Sequence, residues 1–113
     1  MKNIAPRTGA PVRGSATGRP IMAALDLLGR RGALRLVWEL RGGRALTFRA
    51  LAQAADLPPA TLNARLKELR ASGIVAATAG YTLTARGAAL LQAIAPLSAW
   101  AKAWARASRE AAR

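Results

Sequence analysis

Between residues 57 and 73 the chain reads LPPATLNARLKELRASG, and the side chains there that can do chemistry are hydrogen-bonding and cationic groups at helical spacing. Asn63 carries a donor beside an acceptor, the pattern that matches the edge of adenine, while Arg65 and Lys67 have the reach and charge for guanine or phosphate. On a helical wheel Leu62, Leu66 and Leu69 form one stripe, Ala60, Ala64 and Lys67 lie opposite, and Thr61, Asn63, Arg65 and Glu68 flank them. A helix needs only the leucine stripe to dock on a domain. The small residues Ala60 and Ala64 would let its backbone approach a groove floor. Because the N-terminal half of such a helix touches bases, Ala60, Thr61, Asn63 and Ala64 are the candidate base-edge residues, with Arg65 and Lys67 for base or phosphate. Arg44, Thr47 and Arg49, just upstream, are the candidates for phosphate alone. The competing reading of the same residues is an ordinary solvated helix face.

Other chemistry is short of parts. The chain has no histidine and no cysteine, which removes the commonest acid–base group and every thiolate nucleophile, redox or metal site. Asp26, Glu39, Asp56, Glu68 and Glu110 are dispersed over different elements, so no carboxylate pair is expected. RGGR at 41–44 lacks the spacing and the lysine-serine ending of a phosphate loop. No enzyme, no cofactor and no metal are expected. Lysine and arginine number 18 against 5 acids, a net charge of +13, which draws the chain toward polyanions even if part of the arginine reflects a genome rich in alanine and arginine codons.

The elements that must position the opening stretch follow from punctuation. Residues 1–19, rich in Pro, Gly and Ser with scattered cations, read as a disordered basic arm ahead of one domain over 20–113. Pro20 opens a short helix with Ile21, Leu25 and Leu28 on one stripe, ended by Gly29. A second helix is expected within 31–43, its apolar surface made by Leu34, Val37, Trp38 and Leu40, stopped by Gly42 and Gly43. ALTF is a short extended piece in which Thr47 caps a helix bearing Phe48, Leu51, Ala52 and Ala55. A tight turn leads to a helix over about 59–71, with Gly73 at a left-handed stop and Ile74 folding back on Leu69. GIVAAT and GYTLT make a compact hairpin, and Thr84 caps a long last helix kinked at Pro96. Two helices across a three-to-four-residue turn followed by a hairpin describe a mostly α, α+β winged helix with terminal dimerisation helices.

LLGRRGALRLVWEL, ALTFRALAQAADLPPATLNARLKELRASGIV and YTLTARGAALLQAIAPLSAW together resemble the HxlR-type winged-helix transcriptional regulators, distant relatives of MarR, over residues 20 to 104. The resemblance implies a homodimeric DNA-binding regulator. The chain departs from it in three places. Arg31-Gly32 stands where the family has Lys-Trp, leaving Trp38 as the substitute anchor. The N-terminal cysteine used for sensing in many members is missing. The wing is shortened, with no basic residue between Ile74 and Arg86, so the N-terminal arm is the candidate replacement for its minor-groove contact.

Dimerisation also follows from the last helix. Leu90, Ile94, Leu97, Ala101 and Trp104 make one stripe that Leu91 and Trp100 widen beyond what one small domain buries, with Ile21, Met22, Leu25 and Leu28 of the first helix as its packing partner. The expected function is therefore sequence-specific binding of double-stranded DNA by a homodimer. Two rivals stand beside it: a non-specific nucleoid or architectural DNA-binding protein, and a winged-helix module whose outward helix binds protein. Trp38, Trp100 and Trp104 near a dimer cleft could line a pocket for an aromatic effector, and the competing reading of the same tryptophans is ordinary packing against the protomer's own core. No membrane partner is expected, since 88–101 is too short to span a bilayer and no signal peptide is read. The location expected is cytoplasmic, at the bacterial nucleoid.

Overall fold

Three helices of this protein begin on a proline, whose ring presets the helical φ and whose missing N–H costs nothing in a first turn. The computed structural model describes residues 19–113, and the arm expected over 1–19 lies, apart from Arg19, outside them. Pro20 opens α1 (Pro20–Leu28), Pro59 opens α4 (Pro59–Ala71) and Pro96 opens α6 (Pro96–Ala111). Two more helices start on threonine caps. Thr47 Oγ1 accepts the N–H of Ala50 at 3.1 Å to open α3 (Phe48–Ala55), and Thr84 Oγ1 accepts that of Gly87 at 3.0 Å to open α5 (Ala85–Ile94). The sixth, α2 (Ala33–Glu39), follows Gly32 at φ 85°, where the glycine is doubly required because a Cβ there would strike the side chain of Leu57.

Two expectations change. The second helix is shorter than the 31–43 segment, ending at Glu39 before a 3-10 turn over Arg41–Gly43. Its phase also differs: Ala33, Leu36, Val37 and Leu40 are buried, whereas Leu34 and Trp38 face outward. Trp38 is no substitute anchor; Arg41 lies 4.5 Å over its ring. The last helix is interrupted at the proline expected to kink it: α5 ends at Ile94 and α6 starts at Pro96, because the proline has no N–H to continue the ladder, while Ala95 between them keeps a helical backbone.

The helices surround a core of Leu27, Leu36, Val37, Leu40, Leu51, Leu57, Leu62, Leu66, Leu69, Ile74 and Val75. Strands β1 (Val75–Thr78) and β2 (Gly80–Leu83) pair antiparallel, with Val75 opposite Leu83 and Thr78 opposite Gly80. The extended piece before α3 joins them: Leu46 and Tyr81 exchange two backbone hydrogen bonds of 3.0 and 2.8 Å. The architecture is a winged helix.

The stop of α4 is built as its sequence predicts. Gly73 takes φ 74°, its N–H donates to the carbonyl of Arg70, and the N–H of Ile74 reaches back to Leu69 at 2.9 Å. Thr84 then clamps this corner to α5. Its hydroxyl donates to the carbonyl of Gly73 and its backbone N–H to that of Ile74, while Gly87 leaves room for the Ile74 carbonyl where any Cβ would collide.

Candidate nucleic-acid interface

The turn between α3 and α4 has three residues, 56–58. Asp56 accepts the left-handed conformation at φ 53°, and Leu57 is buried beneath the turn, above Gly32. Pro58 keeps the entry extended and its carbonyl accepts from Leu62 at 2.9 Å. Residues 48–71 thus form a helix-turn-helix whose second helix, α4, docks through Leu62, Leu66 and Leu69.

The face that α4 turns outward runs through Ala60, Asn63, Lys67 and Arg70 at spacings of three, four and three residues. This corrects the wheel drawn from the leucines alone. Ala64, placed with the base-edge residues, is only 8% exposed and lies off the outward face. Thr61 is half-buried on the same flank. Glu68, one turn beyond Ala64, is 2% exposed. The buried arc of α4 is therefore wider than its leucine stripe and takes in the flank of Thr61, Ala64, Arg65 and Glu68.

Arg65 is withdrawn from the groove-facing set for the same reason. Its Nη1 donates to Glu68 Oε1 at 2.6 Å and its Nε is buried. In its place the structure adds Arg70, which follows Lys67 on the outward stripe; reckoning the phase from Asn63 and Lys67 would have found it. Neither Lys67 nor Arg70 nor Arg49 has an ion-pair partner among the described residues. Arg49 stands exposed in the first turn of α3, next but one to Thr47, whose cap leaves its hydroxyl hydrogen free to donate. Arg44 is half exposed, with Nη1 4.0 Å from Glu39.

The acids explain why cations dominate the surface. Glu39 is engaged by Arg35 at 2.7 Å, Asp26 by Arg30 at 3.0 Å, and Glu68 by Arg30 and Arg65 at 2.9 and 2.6 Å. Only Asp56 and Glu110 stand exposed. Asp26 and Glu68, read as dispersed, are in fact drawn to one guanidinium, although they are far apart in sequence. Side chains that could hold a metal ion are not clustered among the described residues.

The dimer candidates divide. Ile21 and Leu25 of α1 are exposed, as are Leu97, Trp100 and Trp104 of α6, at 53%, 57% and 60%. Trp100 and Trp104 stack with ring centroids 5.3 Å apart. Met22, Leu28, Ile94 and Ala101 are half-buried, and Leu90 and Leu91 pack in part against the protomer's own core. Along its whole length α6 buries no residue. No described helix is long and apolar enough to cross a membrane.

Known proteins share this arrangement. A family model described as a helix-turn-helix domain matches residues 28–77, from the end of α1 through α4 into β1. Among solved structures, the crystal structure of the quinone-bound YodB from B. subtilis superposes with a TM-score of 0.66. It is 32% identical, and the match covers 74% of this chain and 96% of that one. No curated protein matches. With its hairpin directly behind the second helix and a relative of this identity over nearly its whole length, the chain belongs to the winged helix-turn-helix family of DNA-binding transcription regulators.

Proposed function

We propose that the protein is a sequence-specific regulator of the HxlR type that binds double-stranded DNA as a homodimer, with α4 in the major groove. One observation carries the reading: on the second helix of the helix-turn-helix, the outward stripe holds a small residue, an amide and two cations without acidic partners, while three of the five acids are taken up in ion pairs. Asn63 is the base-reading group, with Ala60 admitting the backbone to the groove. Lys67, Arg70, Arg49, Arg44 and the hydroxyl of Thr47 hold phosphates.

The homodimer is supported by α6, sixteen residues with no buried side chain and two tryptophans in water. A helix gains most of its stability from packing, so an element of this length with no buried residue among those described calls for a partner outside the protomer. The exposed Ile21 and Leu25 of α1 supply the matching apolar surface. YodB was crystallised with a quinone, but this chain holds no thiol for an electrophilic quinone to capture. The aromatic-effector reading is set aside as well: Arg41 covers Trp38, and the other two tryptophans stack on each other.

A footprint over the DNA upstream of the protein's own gene, with excess random competitor, tests the reading. A protected site with two-fold halves about one DNA turn apart is the expected result. Protection that random DNA competes away equally would make this an architectural protein, and no binding at low salt would make it a protein-binding module.

A further inference from the structure

Beneath the outward stripe of α4 lies a second set of charges that takes no part in it. Glu68 is 2% exposed, and each of its carboxylate oxygens accepts a hydrogen bond from a different arginine. Oε1 accepts from Arg65 Nη1 at 2.6 Å, within α4; Oε2 accepts from Arg30 Nη1 at 2.9 Å, across 38 positions of sequence. The other arm of the same guanidinium, Arg30 Nη2, donates to Asp26 Oδ2 at 3.0 Å on α1. In these pairings each arginine faces a carboxylate, unlike the cations of the outward stripe, which have no acidic partner among the described residues.

Stability is not a sufficient reason for this set. Taking charges out of water costs about as much as their pairing returns, and apolar side chains of similar volume commonly serve a core as well. What an apolar contact lacks is direction. Arginine presents its donors as a rigid planar fork, and here the two arms engage carboxylates on two different helices. The leucines of α4 hold it by shape alone, with no directional bond to define its roll. A carboxylate held at both oxygens supplies such bonds. Side-chain tips lie roughly 5–6 Å from a helix axis, so a roll of about 20° displaces them by about 2 Å. That exceeds what the hydrogen bonds of an amide to a base edge tolerate. Asn63 and Lys67 ride on the same rigid helix as Glu68, five residues and one residue before it.

We propose that Arg30 is a positioning residue: its fork, holding Asp26 of α1 and Glu68 of α4, sets the roll of α4 and with it the aim of the DNA-facing stripe. The proposal rests on the DNA-reading function of α4. It also joins that function to the element that carries Ile21 and Leu25, so that the helix offered to a second protomer and the helix offered to DNA are registered through one side chain.

Two variants test it. Arg30→Lys keeps the charge but cannot serve both carboxylates as a fork. The double variant Arg30→Met with Glu68→Gln removes the fork and the carboxylate it holds, leaves Arg65 an amide oxygen to donate to, and provides a second comparison if the lysine variant unfolds. For each, amide hydrogen exchange is followed along α3 and α4, and affinity is measured for the footprinted site and for random DNA. The expected result is exchange at least fivefold faster in α4 with α3 unaltered. Preference for the site should fall at least tenfold, with random-DNA affinity within twofold of the parent. Unchanged exchange in α4 overturns the proposal, whatever happens to the affinities. So does an equal loss on both DNAs, which would make Arg30 a phosphate contact. If α4 exchanges faster but the parent protein itself prefers no site, the coupling of α4 to α1 stands and the sequence-specific function falls.

Discussion

Among the exposed residues of α4, Asn63 alone offers both a donor and an acceptor at the end of a short side chain, and so it can tell one base edge from another. Asn63→Ala is expected to cost about 1–3 kcal/mol on the preferred site and far less on random DNA, read by competition binding. Lys67→Ala and Arg70→Ala act differently, because a cation against phosphate is indifferent to sequence. Each should weaken binding to all DNA alike and make the log–log salt slope shallower by about 1. A third residue-scale expectation concerns Gly87. Its Cα faces the Ile74 carbonyl so closely that a single methyl has no room, and the atom it would meet belongs to the backbone, which cannot swing aside. Gly87→Ala should therefore lower the stability to urea by about 1–3 kcal/mol, although alanine is otherwise the better helix residue.

At the scale of elements, the corner where α4 ends and α5 begins sets the base of the wing. Thr84 ties the corner together: its oxygen caps α5, its hydroxyl hydrogen is shared between the carbonyls of Gly73 and Ile74, and its backbone N–H also serves that of Ile74. Thr84→Ala removes every bond of the hydroxyl and should cost about 1–2 kcal/mol in equilibrium unfolding, whereas Thr84→Ser, which keeps the oxygen, should return most of it. The wing itself is small and carries no cation from Val75 to Leu83. Its structural work is in the pairing of Tyr81 with Leu46, which fixes the chain just ahead of the Thr47 cap and so the start of α3.

For the whole molecule, charge and assembly decide the behaviour. A dimer with +13 on each chain should neutralise several phosphates per protomer, giving a log–log salt slope of roughly −5 or steeper; a nearly flat slope would favour a protein partner over DNA. Leu97→Asp places a carboxylate in the middle of the exposed stripe of α6, where a second copy would have to bury it unpaired. That variant should sediment as a monomer or weak dimer, keep salt-sensitive binding to random DNA, and lose most of its preference for a two-fold site. A tight Leu97→Asp dimer would put the interface elsewhere.

The order of the elements and most of their starts were legible in the sequence, though not the early end of α2, because the signals for them act within a few residues. A proline suits a first turn, a threonine oxygen meets an N–H three positions on, and a glycine takes the left-handed stop after α4, whatever the rest of the chain does. The net charge and the missing histidine and cysteine likewise were legible without a structure: this sequence holds no imidazole and no thiol. The faces were another matter. From its leucines α4 shows one stripe, but its buried arc extends to Ala64 and Glu68, with Arg30 meeting Glu68 from a distant part of the chain. The same limit shifted the phase of α2, leaving Trp38 outside and Leu36 inside. Which side of an amphipathic helix is covered depends on what packs against it, and here that partner stands 38 positions away, beyond the reach of any local pattern. So the sequence was sufficient to single out the second helix of the helix-turn-helix, and only the tertiary structure decided that Ala60, Asn63, Lys67 and Arg70 are the residues on its outward stripe.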